Sequence, residues 1–260
     1  MDALNPNESK SRAPRGCAHA NRCSRVVEVC FRALRLVGRA VEIRHGGGQM
    51  VTSGEQQRLV RRGYDRVSRA YREDDYAYAG SGYECALELV LGELSREDRV
   101  LDLGCGCGIP ATQVLSQRCR IVGVDLSDVQ LRRAQQLIAR ADLVQADMSR
   151  LQFKGSSFAG VVALWSIIHV PLEDQRGLLS RINAWLKPGG FLLATVGFQR
   201  WVGSEDDWCG VPGARMYWSH EDRETNRVWI EEAGFAIEEE RFIPEGAGGA
   251  TLILARTPSL

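Results

Sequence analysis

The stretch Arg99-Val-Leu-Asp-Leu-Gly-Cys-Gly-Cys-Gly-Ile-Pro-Ala-Thr-Gln-Val-Leu115 reads as a strand, a glycine-rich turn and the opening of a helix. Gly104, Gly106 and Gly108 let the backbone turn sharply and approach a ligand closely, and Pro110 suits the first helical turn. Ligands of parallel α/β sheets bind at the carboxyl ends of the strands. The turn therefore predicts a ligand site, but its Gly106-x-Gly108-x-x-Ala111 spacing also matches that of a nicotinamide dinucleotide site.

Continuous apolar runs around this turn alternate with helical patterns, which is typical of a parallel sheet covered by helices on both faces. We predict seven strands, at residues 100–103, 121–124, 143–145, 160–164, 191–196, 236–242 and 250–255. The Gly-rich link before the last strand is too short for a parallel crossover, so the last two strands should form an antiparallel hairpin. The predicted fold class is α/β, with a doubly wound Rossmann-like sheet.

Carboxylates follow the second and third predicted strands. Asp125 ends the second strand, where it can accept both ribose hydroxyls of an adenosine, and Asp147 ends the third, where it can accept an adenine amino group. Ser127 should cap the following helix, with Gln130 completing a capping box. Together with the glycine turn, these carboxylates favour a site for an adenosine-containing cofactor. The alternative is that they are ordinary loop or helix-cap carboxylates.

Five motifs follow one another along the chain, namely VLDLGCGCG, GVDLS, QADM, HVPLEDQ and LKPGGFLL. From about Tyr64 onward the chain resembles the class I S-adenosylmethionine-dependent methyltransferase superfamily, in particular its small-molecule branch of the UbiE and type 11 kind. The resemblance implies seven strands with the last antiparallel, S-adenosylmethionine as cofactor, and in-line methyl transfer to a small-molecule oxygen, nitrogen or carbon. Many relatives have Phe-Asp where this chain has Phe158-Ala159, and that Asp is generally structural.

The resemblance also implies which residues contact the cofactor. Asp102 would face the methionine amino group, Asp125 the ribose, and Asp147 with the Met148 backbone the adenine. The implied contact residues are Asp102, Gly104, Cys105, Gly106, Gly108, Asp125, Leu126, Asp147, Met148 and Trp165. Two alternatives stay open: an NAD(P)-dependent Rossmann oxidoreductase, and a non-catalytic S-adenosylmethionine-binding protein that kept the fold.

Candidate catalytic residues should lie above the fourth and fifth strands, because the enzyme mainly holds the acceptor on the methyl axis and removes a proton where needed. His169 is one candidate base, with Trp165 lining the methyl pocket; alternatively His169 packs and hydrogen-bonds at a helix start. His220 is the better candidate by location; alternatively it is an ordinary residue before a helix.

Residues 198–220 form a predicted acceptor loop, because aromatic residues are unusually dense there. Loops on a rigid sheet often carry specificity, and aromatic side chains form apolar pockets. The acidic residues 205–207 in this segment are interpreted as solvated charges. The predicted substrate-binding residues are Tyr71, Trp201, Trp208, Tyr217 and Trp218.

The segment Tyr64-Asp-Arg-Val-Ser-Arg-Ala-Tyr71 resembles the helix that covers the cofactor in many relatives. Tyr64 and Tyr71 fall on one helical face, and Tyr64 is a third candidate catalytic residue. Alternatively, both tyrosines pack in the core.

Composition limits the classes of partner. The 260 residues carry 33 Lys and Arg against 33 Asp and Glu, so no charge excess indicates nucleic acid or an anionic membrane. The eight cysteines include no C-x-x-C pair, so we expect free thiols, no metal site and a cytoplasmic protein. No apolar run is long enough to span a bilayer. We expect a small-molecule acceptor as partner, and a monomer or homodimer.

Three parts are predicted along the chain: a basic, partly disordered or helical extension at 1–48, a helical cap at 49–98, and the S-adenosylmethionine-binding core at 99–260. Apolar residues at helical spacing among the arginines of 22–44 indicate an amphipathic helix of a membrane-surface or targeting kind, or else a loosely attached extension.

Overall fold

The computed structural model describes residues 52–245 and 248–259. The predictions for residues 1–48, an amphipathic helix or a loosely attached extension, lie outside the described residues, as does the start of the helical cap at 49–51. Among the described helices, none is long and apolar enough to cross a membrane.

The described residues form nine strands: β1 (Arg99–Leu103), β2 (Arg120–Asp125), β3 (Asp142–Gln145), β4 (Phe158–Ala163), β5 (Leu186–Gly197), β6 (Trp201–Asp206), β7 (Arg215–His220), β8 (Ala236–Glu245) and β9 (Gly248–Arg256). Seven of them form one sheet in the order β3-β2-β1-β4-β5-β9-β8. Neighbours from β3 to β5 are parallel, whereas β9 is antiparallel to both β5 and β8. The doubly wound sheet with an antiparallel last strand is confirmed.

The last strand lies inside the sheet, between β5 and β8. Its residues 250–255 are all buried, which explains why the sequence there is a continuous apolar run rather than an alternating one. The antiparallel pairing of β8 with β9 is the predicted hairpin.

The described residues also form six helices: α1 (Ser53–Tyr71), α2 (Gly82–Leu91), α3 (Ala111–Ser116), α4 (Asp128–Leu137), α5 (Leu172–Trp185) and α6 (Arg223–Glu232). Ser127 caps α4 as predicted, and its Oγ accepts the N–H of Gln130 at 3.1 Å. The predicted capping box is wrong in its second half. The side-chain oxygen of Gln130 instead accepts a hydrogen bond from Ser68 Oγ of α1 at 2.8 Å, which ties α1 to α4.

Apolar layers cover both faces of the sheet. Leu178 of α5 and Ile230 of α6 pack on one face. Leu87 of α2 and Leu115 of α3 pack on the other. All four side chains are fully buried, and each contributes about 1.5–3 kcal/mol by leaving water.

Residues 198–220 are mostly a β-hairpin, so the loop predicted there is wrong in its backbone form, whereas its role in acceptor binding stays a prediction. β6 and β7 pair antiparallel as a separate two-stranded sheet, with Trp201 opposite His220 and Gly203 opposite Trp218. The rings of Trp201 and Trp218 stack at 4.8 Å. Aromatic residues favour strands, and such neighbours across two strands stabilise a pair by about 0.2–1 kcal/mol, so the aromatic density builds a hairpin.

Helix α1 lies against β7 at a position that only glycine allows. A Cβ on Gly63 would lie 2.6 Å from the carbonyl oxygen of Arg215 and 2.7 Å from Cε of Met216. This close approach sets the distance between α1 and β7.

Candidate active site

A cavity lies at the carboxyl ends of β1 to β4, with α1 over it. Its empty volume, counted out to its open mouth, is about 850 Å³. Two groups of its lining residues are named by their origin. The strand-end wall consists of Gly104, Gly106, Asp125, Leu126, Asp147 and Met148. The aromatic wall consists of Tyr64, Tyr71, Tyr83, Trp165 and His169.

The three glycines of the turn have positive φ angles of 79° at Gly104, 56° at Gly106 and 83° at Gly108, which disfavour other residues. A Cβ on Gly104 would lie 2.3 Å from Cβ of Ser166, and one on Gly108 would lie 2.5 Å from Cγ1 of Ile138. A Cβ on Gly106 would meet nothing nearer than a side-chain nitrogen at 4.0 Å. Gly104 and Gly108 are thus required by packing, whereas Gly106 leaves its backbone open to the cavity.

Asp125 is held in place by backbone donors. One carboxylate oxygen accepts the N–H of Gly106 and the other that of Ser127, each at 2.8 Å. Burial raises the pKa of Asp125 to about 6, although both N–H groups act in the opposite direction. Because each oxygen keeps a further lone pair, the carboxylate can still accept two neighbouring hydroxyls. The ribose contact stays a prediction that this geometry permits.

Asp147 and Met148 line the cavity together with Leu126. Oδ1 of Asp147 accepts the N–H and the hydroxyl of Ser149, at 2.9 and 2.7 Å, which fixes the carboxylate at the start of a short turn. Its second oxygen lies 3.6 Å from Nε of Arg150. The apolar side chains of Leu126 and Met148 line the cavity beside it and suit an aromatic base. The adenine contact stays a prediction.

Asp102 and Gly108 do not line the cavity, unlike the other predicted cofactor residues. Asp102 is 2% exposed and accepts a hydrogen bond from Thr112 Oγ1 of α3 at 2.6 Å. Burial raises its pKa to about 7, partly offset by that hydrogen bond. Asp102 therefore joins β1 to α3 beneath the glycine turn, and its described partner is Thr112.

Trp165 joins the two walls. It has a left-handed φ of 52°, and its backbone N–H donates to Thr195 Oγ1 at 2.5 Å. The indole N–H donates to the carboxylate of Glu245, the last residue of β8. The indole ring packs against Tyr83 with centroids 4.5 Å apart. These contacts hold the ring at the cavity surface.

His169 and Tyr64 form a hydrogen-bonded pair at the cavity. The Tyr64 hydroxyl lies 3.0 Å from Nε2 of His169, and Nδ1 lies 2.8 Å from the carbonyl oxygen of Tyr217. Because that carbonyl can only accept, Nδ1 carries the proton and Nε2 accepts from Tyr64. Burial lowers the pKa of His169 to about 4 and raises the pKa of Tyr64, so both groups are neutral at pH 7.

The other candidate base, His220, lies outside the cavity lining. It is half-buried at the end of β7, with its ring against Gly197, where a Cβ would lie 2.2 Å from Nδ1. The preference for His220 by location rested on a predicted loop that is a hairpin strand, and the catalytic role of His220 stays a prediction.

The hairpin aromatics support the aromatic wall from behind. Of the five predicted substrate-binding residues, only Tyr71 lines the cavity. The other four do not line it: Trp201, Trp208, Tyr217 and Trp218. Trp208 packs against Tyr64 and Tyr71, with ring centroids 5.4 and 5.2 Å away. The hairpin thus fixes the two tyrosines that face the cavity.

Several lining residues were not predicted. Gln57, Val60 and Arg61 of α1 line the cavity, as do Arg72 and Tyr83. The first three share the helical stripe of Tyr64 and Tyr71, and extending that stripe backward would have found them. Arg72 and Tyr83 belong to no motif and are brought in by the fold.

Comparison with known proteins supports this architecture. Residues 100–190 match the family model described as a methyltransferase domain. Sterol 24-C-methyltransferase erg6 of Schizosaccharomyces pombe is 31% identical over 156 residues, which cover 57% of this chain and 39% of that enzyme. The chain thus spans well under half the length of that relative.

Two solved structures share the fold. The 1,6-didemethyltoxoflavin-N1-methyltransferase of Burkholderia thailandensis, solved with 1,6-didemethyltoxoflavin and S-adenosylhomocysteine, superposes with a TM-score of 0.62 at 19% identity, covering 85% of this chain and 99% of that one. The [4+2]-cyclase SpnF superposes with a TM-score of 0.59 at 19% identity, covering 80% and 98%. Residues 100–190 thus match a methyltransferase domain, and the two solved structures show that the chain shares their fold.

Proposed function

We propose that this protein transfers the methyl group of S-adenosylmethionine to a largely apolar small molecule. The observation that carries the proposal is the aromatic wall, which lines the same cavity as the glycine turn and Asp125. The cofactor supplies an electrophilic methyl group on a sulfonium, and the chain has to hold an acceptor in line with it.

The strand-end wall fits this cofactor. The open backbone of Gly106 permits close approach, and the carboxylate of Asp125 has lone pairs for a ribose. Asp147, Leu126 and Met148 provide an acceptor oxygen and apolar surface for an adenine. Aromatic faces such as that of Trp165 attract a cation, and such a contact contributes about 0.5–2 kcal/mol.

The pair of Tyr64 and His169 positions the acceptor in this proposal. The Tyr64 hydroxyl donates a hydrogen bond to Nε2 of His169 and accepts one from Tyr71, which leaves one lone pair of its oxygen for a hydroxyl or amino group in the cavity. With the pKa of His169 lowered to about 4, the pair is a weak base, so it orients the acceptor more than it removes a proton.

A sterol-like acceptor is the finer part of the proposal. The relative from Schizosaccharomyces pombe is named as a sterol 24-C-methyltransferase. Val60, Tyr71 and Tyr83 line the cavity, and their apolar and aromatic surfaces suit an apolar acceptor that contains rings.

The test is a labelled-methyl assay of the full chain with sterols, phenols, amines and quinone precursors, alongside calorimetry with S-adenosylhomocysteine. We expect S-adenosylhomocysteine binding and transfer to at least one apolar acceptor. Tyr64→Phe should lower kcat/KM about 5-fold to 30-fold, the loss of one or two hydrogen bonds, with cofactor affinity unchanged.

Absence of S-adenosylhomocysteine binding would contradict the whole proposal. Binding without transfer to any acceptor would favour the non-catalytic alternative, and transfer to amines but not sterols would remove only the sterol-like part. Cytoplasmic location and a monomeric or dimeric state stay predictions.

A further inference from the structure

The indole ring of Trp165 lies where the two walls of the cavity meet. Trp165 lines the cavity just after β4, and its ring packs against Tyr83 of the aromatic wall. The next residue, Ser166, packs on the glycine turn, where a Cβ on Gly104 would lie 2.3 Å from Cβ of Ser166. A cofactor that lies along the glycine turn and meets an acceptor at the aromatic wall therefore has this ring beside it.

The backbone of Trp165 has a conformation that the residue does not favour by itself. Its φ of 52° is left-handed, which is uncommon for a residue with a Cβ. Such a conformation persists only where the surrounding contacts hold it, and residues of this kind cluster at functional sites. The contacts that hold Trp165 therefore indicate what its ring does.

Two segments that lie far apart in the sequence hold the ring. The carboxylate of Glu245, at the end of β8, accepts the indole N–H. At the start of α2, a Cβ on Gly82 would lie 3.1 Å from Cη2 of Trp165, so the backbone of α2 packs closely against the ring. The ring is thus held at its nitrogen by β8 and at its six-membered part by α2.

Glu245 differs from other carboxylates of β8. Glu238 and Glu240 each pair with an arginine, whereas Glu245 accepts from a neutral indole. Burial raises the pKa of Glu245, although the hydrogen bond from Trp165 and the charge of Arg72 act in the opposite direction. Because burying a carboxylate is costly unless it is hydrogen-bonded, the bond to Trp165 is the contact that explains this residue.

We propose that Glu245 is a positioning residue for methyl transfer, which holds the face of Trp165 against the sulfonium of the cofactor through its hydrogen bond to the indole. An aromatic face attracts a cation only when the charge lies over the ring at short distance. S-adenosylmethionine carries this charge, whereas S-adenosylhomocysteine is neutral at sulfur. The inference rests on the proposed function, because it takes this cavity to hold the cofactor.

The test is calorimetry of the full chain with S-adenosylmethionine and with S-adenosylhomocysteine, without an acceptor. The ratio of the two dissociation constants measures the preference for the sulfonium. Trp165→Leu should lower this preference about 2-fold to 30-fold, the loss of one cation–π contact, and Glu245→Leu should lower it by about 2-fold or more. Glu245→Gln should stay within about 2-fold of the wild type, because its amide oxygen still accepts the indole N–H.

The double variant of Trp165→Leu and Glu245→Leu tests whether Glu245 acts through the ring. Its preference should equal that of Trp165→Leu alone, because residues that act as a unit are not additive. A further loss in the double variant would overturn the inference, as would a wild-type preference in either single leucine variant. A Glu245→Gln variant as impaired as Glu245→Leu would also overturn it, since the hydrogen bond would then not be the cause.

Trp165→Phe tests the same hydrogen bond without any change at Glu245. It removes the N–H donor and keeps an aromatic ring, so its preference should also fall. A wild-type preference in Trp165→Phe would overturn the inference even if Glu245→Leu did not fold.

Glu238→Leu is the matched control. Glu238 is exposed near the start of β8 and pairs with Arg256, so its substitution should leave the preference unchanged. The ratio within one variant separates recognition from folding, because a loosened cavity weakens both ligands alike. A wild type that binds neither ligand would instead contradict the proposed function.

Discussion

The two walls of the cavity are built in different ways. The strand-end wall is made of residues that directly follow β1, β2 and β3, so the sheet itself positions them. The aromatic wall is assembled from α1, the start of α2 and the segment after β4, and its supports come from β7. The first wall is therefore as rigid as the sheet, whereas the second depends on how α1 sits on the hairpin.

The largest effect that would test this contrast is expected at the strand-end wall. Gly104→Val should abolish S-adenosylhomocysteine binding, because Gly104 has a φ of 79° and its Cβ would lie 2.3 Å from Cβ of Ser166. Calorimetry measures the binding and circular dichroism the fold. Gly92→Ala is the control, since a Cβ on Gly92 would meet nothing within 4 Å. Binding by Gly104→Val within 10-fold of the wild type would break the claim of a rigid wall.

A smaller effect is expected where α1 meets β7. Gly63→Ala should lower the free energy of unfolding by about 1–3 kcal/mol, because the new methyl group would lie 2.6 Å from a backbone oxygen. Urea unfolding measures it. Gly54→Ala in the same helix is the control: its Cβ would meet a side-chain nitrogen at an ordinary 3.7 Å, and it should be neutral or stabilising. Equal effects of Gly63→Ala and Gly54→Ala would show that the contact at Gly63 does not set the distance between α1 and β7.

Asp102 should make stability fall as the pH rises. Its pKa of about 7 in the folded chain exceeds the usual value near 3.9, so between about pH 4 and pH 7 the folded state holds the extra proton. Stability from this group is full below that window and is lost as the pH approaches 7. Asp102→Asn should add at least about 1 kcal/mol at pH 7 and little at pH 4.

Urea unfolding of the unliganded wild type and Asp102→Asn between pH 4 and pH 7 measures this difference. Thr112→Val provides a companion, because it removes the hydroxyl that donates to Asp102 and should raise the pKa further. A gap between wild type and Asp102→Asn that does not change with pH would contradict the prediction.

The smallest effect is expected at His220. His220→Ala should change kcat/KM less than about 3-fold, because the side chain does not line the cavity, whereas His169→Ala removes the partner of Tyr64 and should cost about 5-fold or more. The labelled-methyl assay measures both. A larger loss of kcat/KM for His220→Ala than for His169→Ala would show that His220 contributes to catalysis.

The sequence predicted the strand-end wall far better than the aromatic one. Asp125 and Asp147 follow strands whose apolar runs are evident, so a local pattern locates them next to the glycine turn. The match of residues 100–190 to a methyltransferase domain also counts against the nicotinamide alternative, which the glycine spacing alone allowed.

The aromatic wall depends on contacts between segments that lie far apart in the sequence. His169 meets Tyr64, 105 positions earlier, and the carbonyl of Tyr217, 48 positions later, so no local spacing reports the pair. His220 was preferred because its aromatic neighbours looked like a loop, but pairing with β6 turned them into strand residues. Arg72 carried no motif, and only burial beside the cavity distinguishes it from the other arginines.

The polar link between α1 and α4 has a consequence for how this cavity can diverge. Asp65 accepts from the Ser127 hydroxyl at 2.6 Å, and Ser68 donates to Gln130, so α1 docks on the capping residues of α4 beside the strand ends. The aromatic residues of α1 lie outside the 100–190 stretch that the family model matches. A related chain can therefore keep Asp65 and Ser68 while the aromatic residues of α1 change. Such a chain would retain the cofactor site and bind a different acceptor.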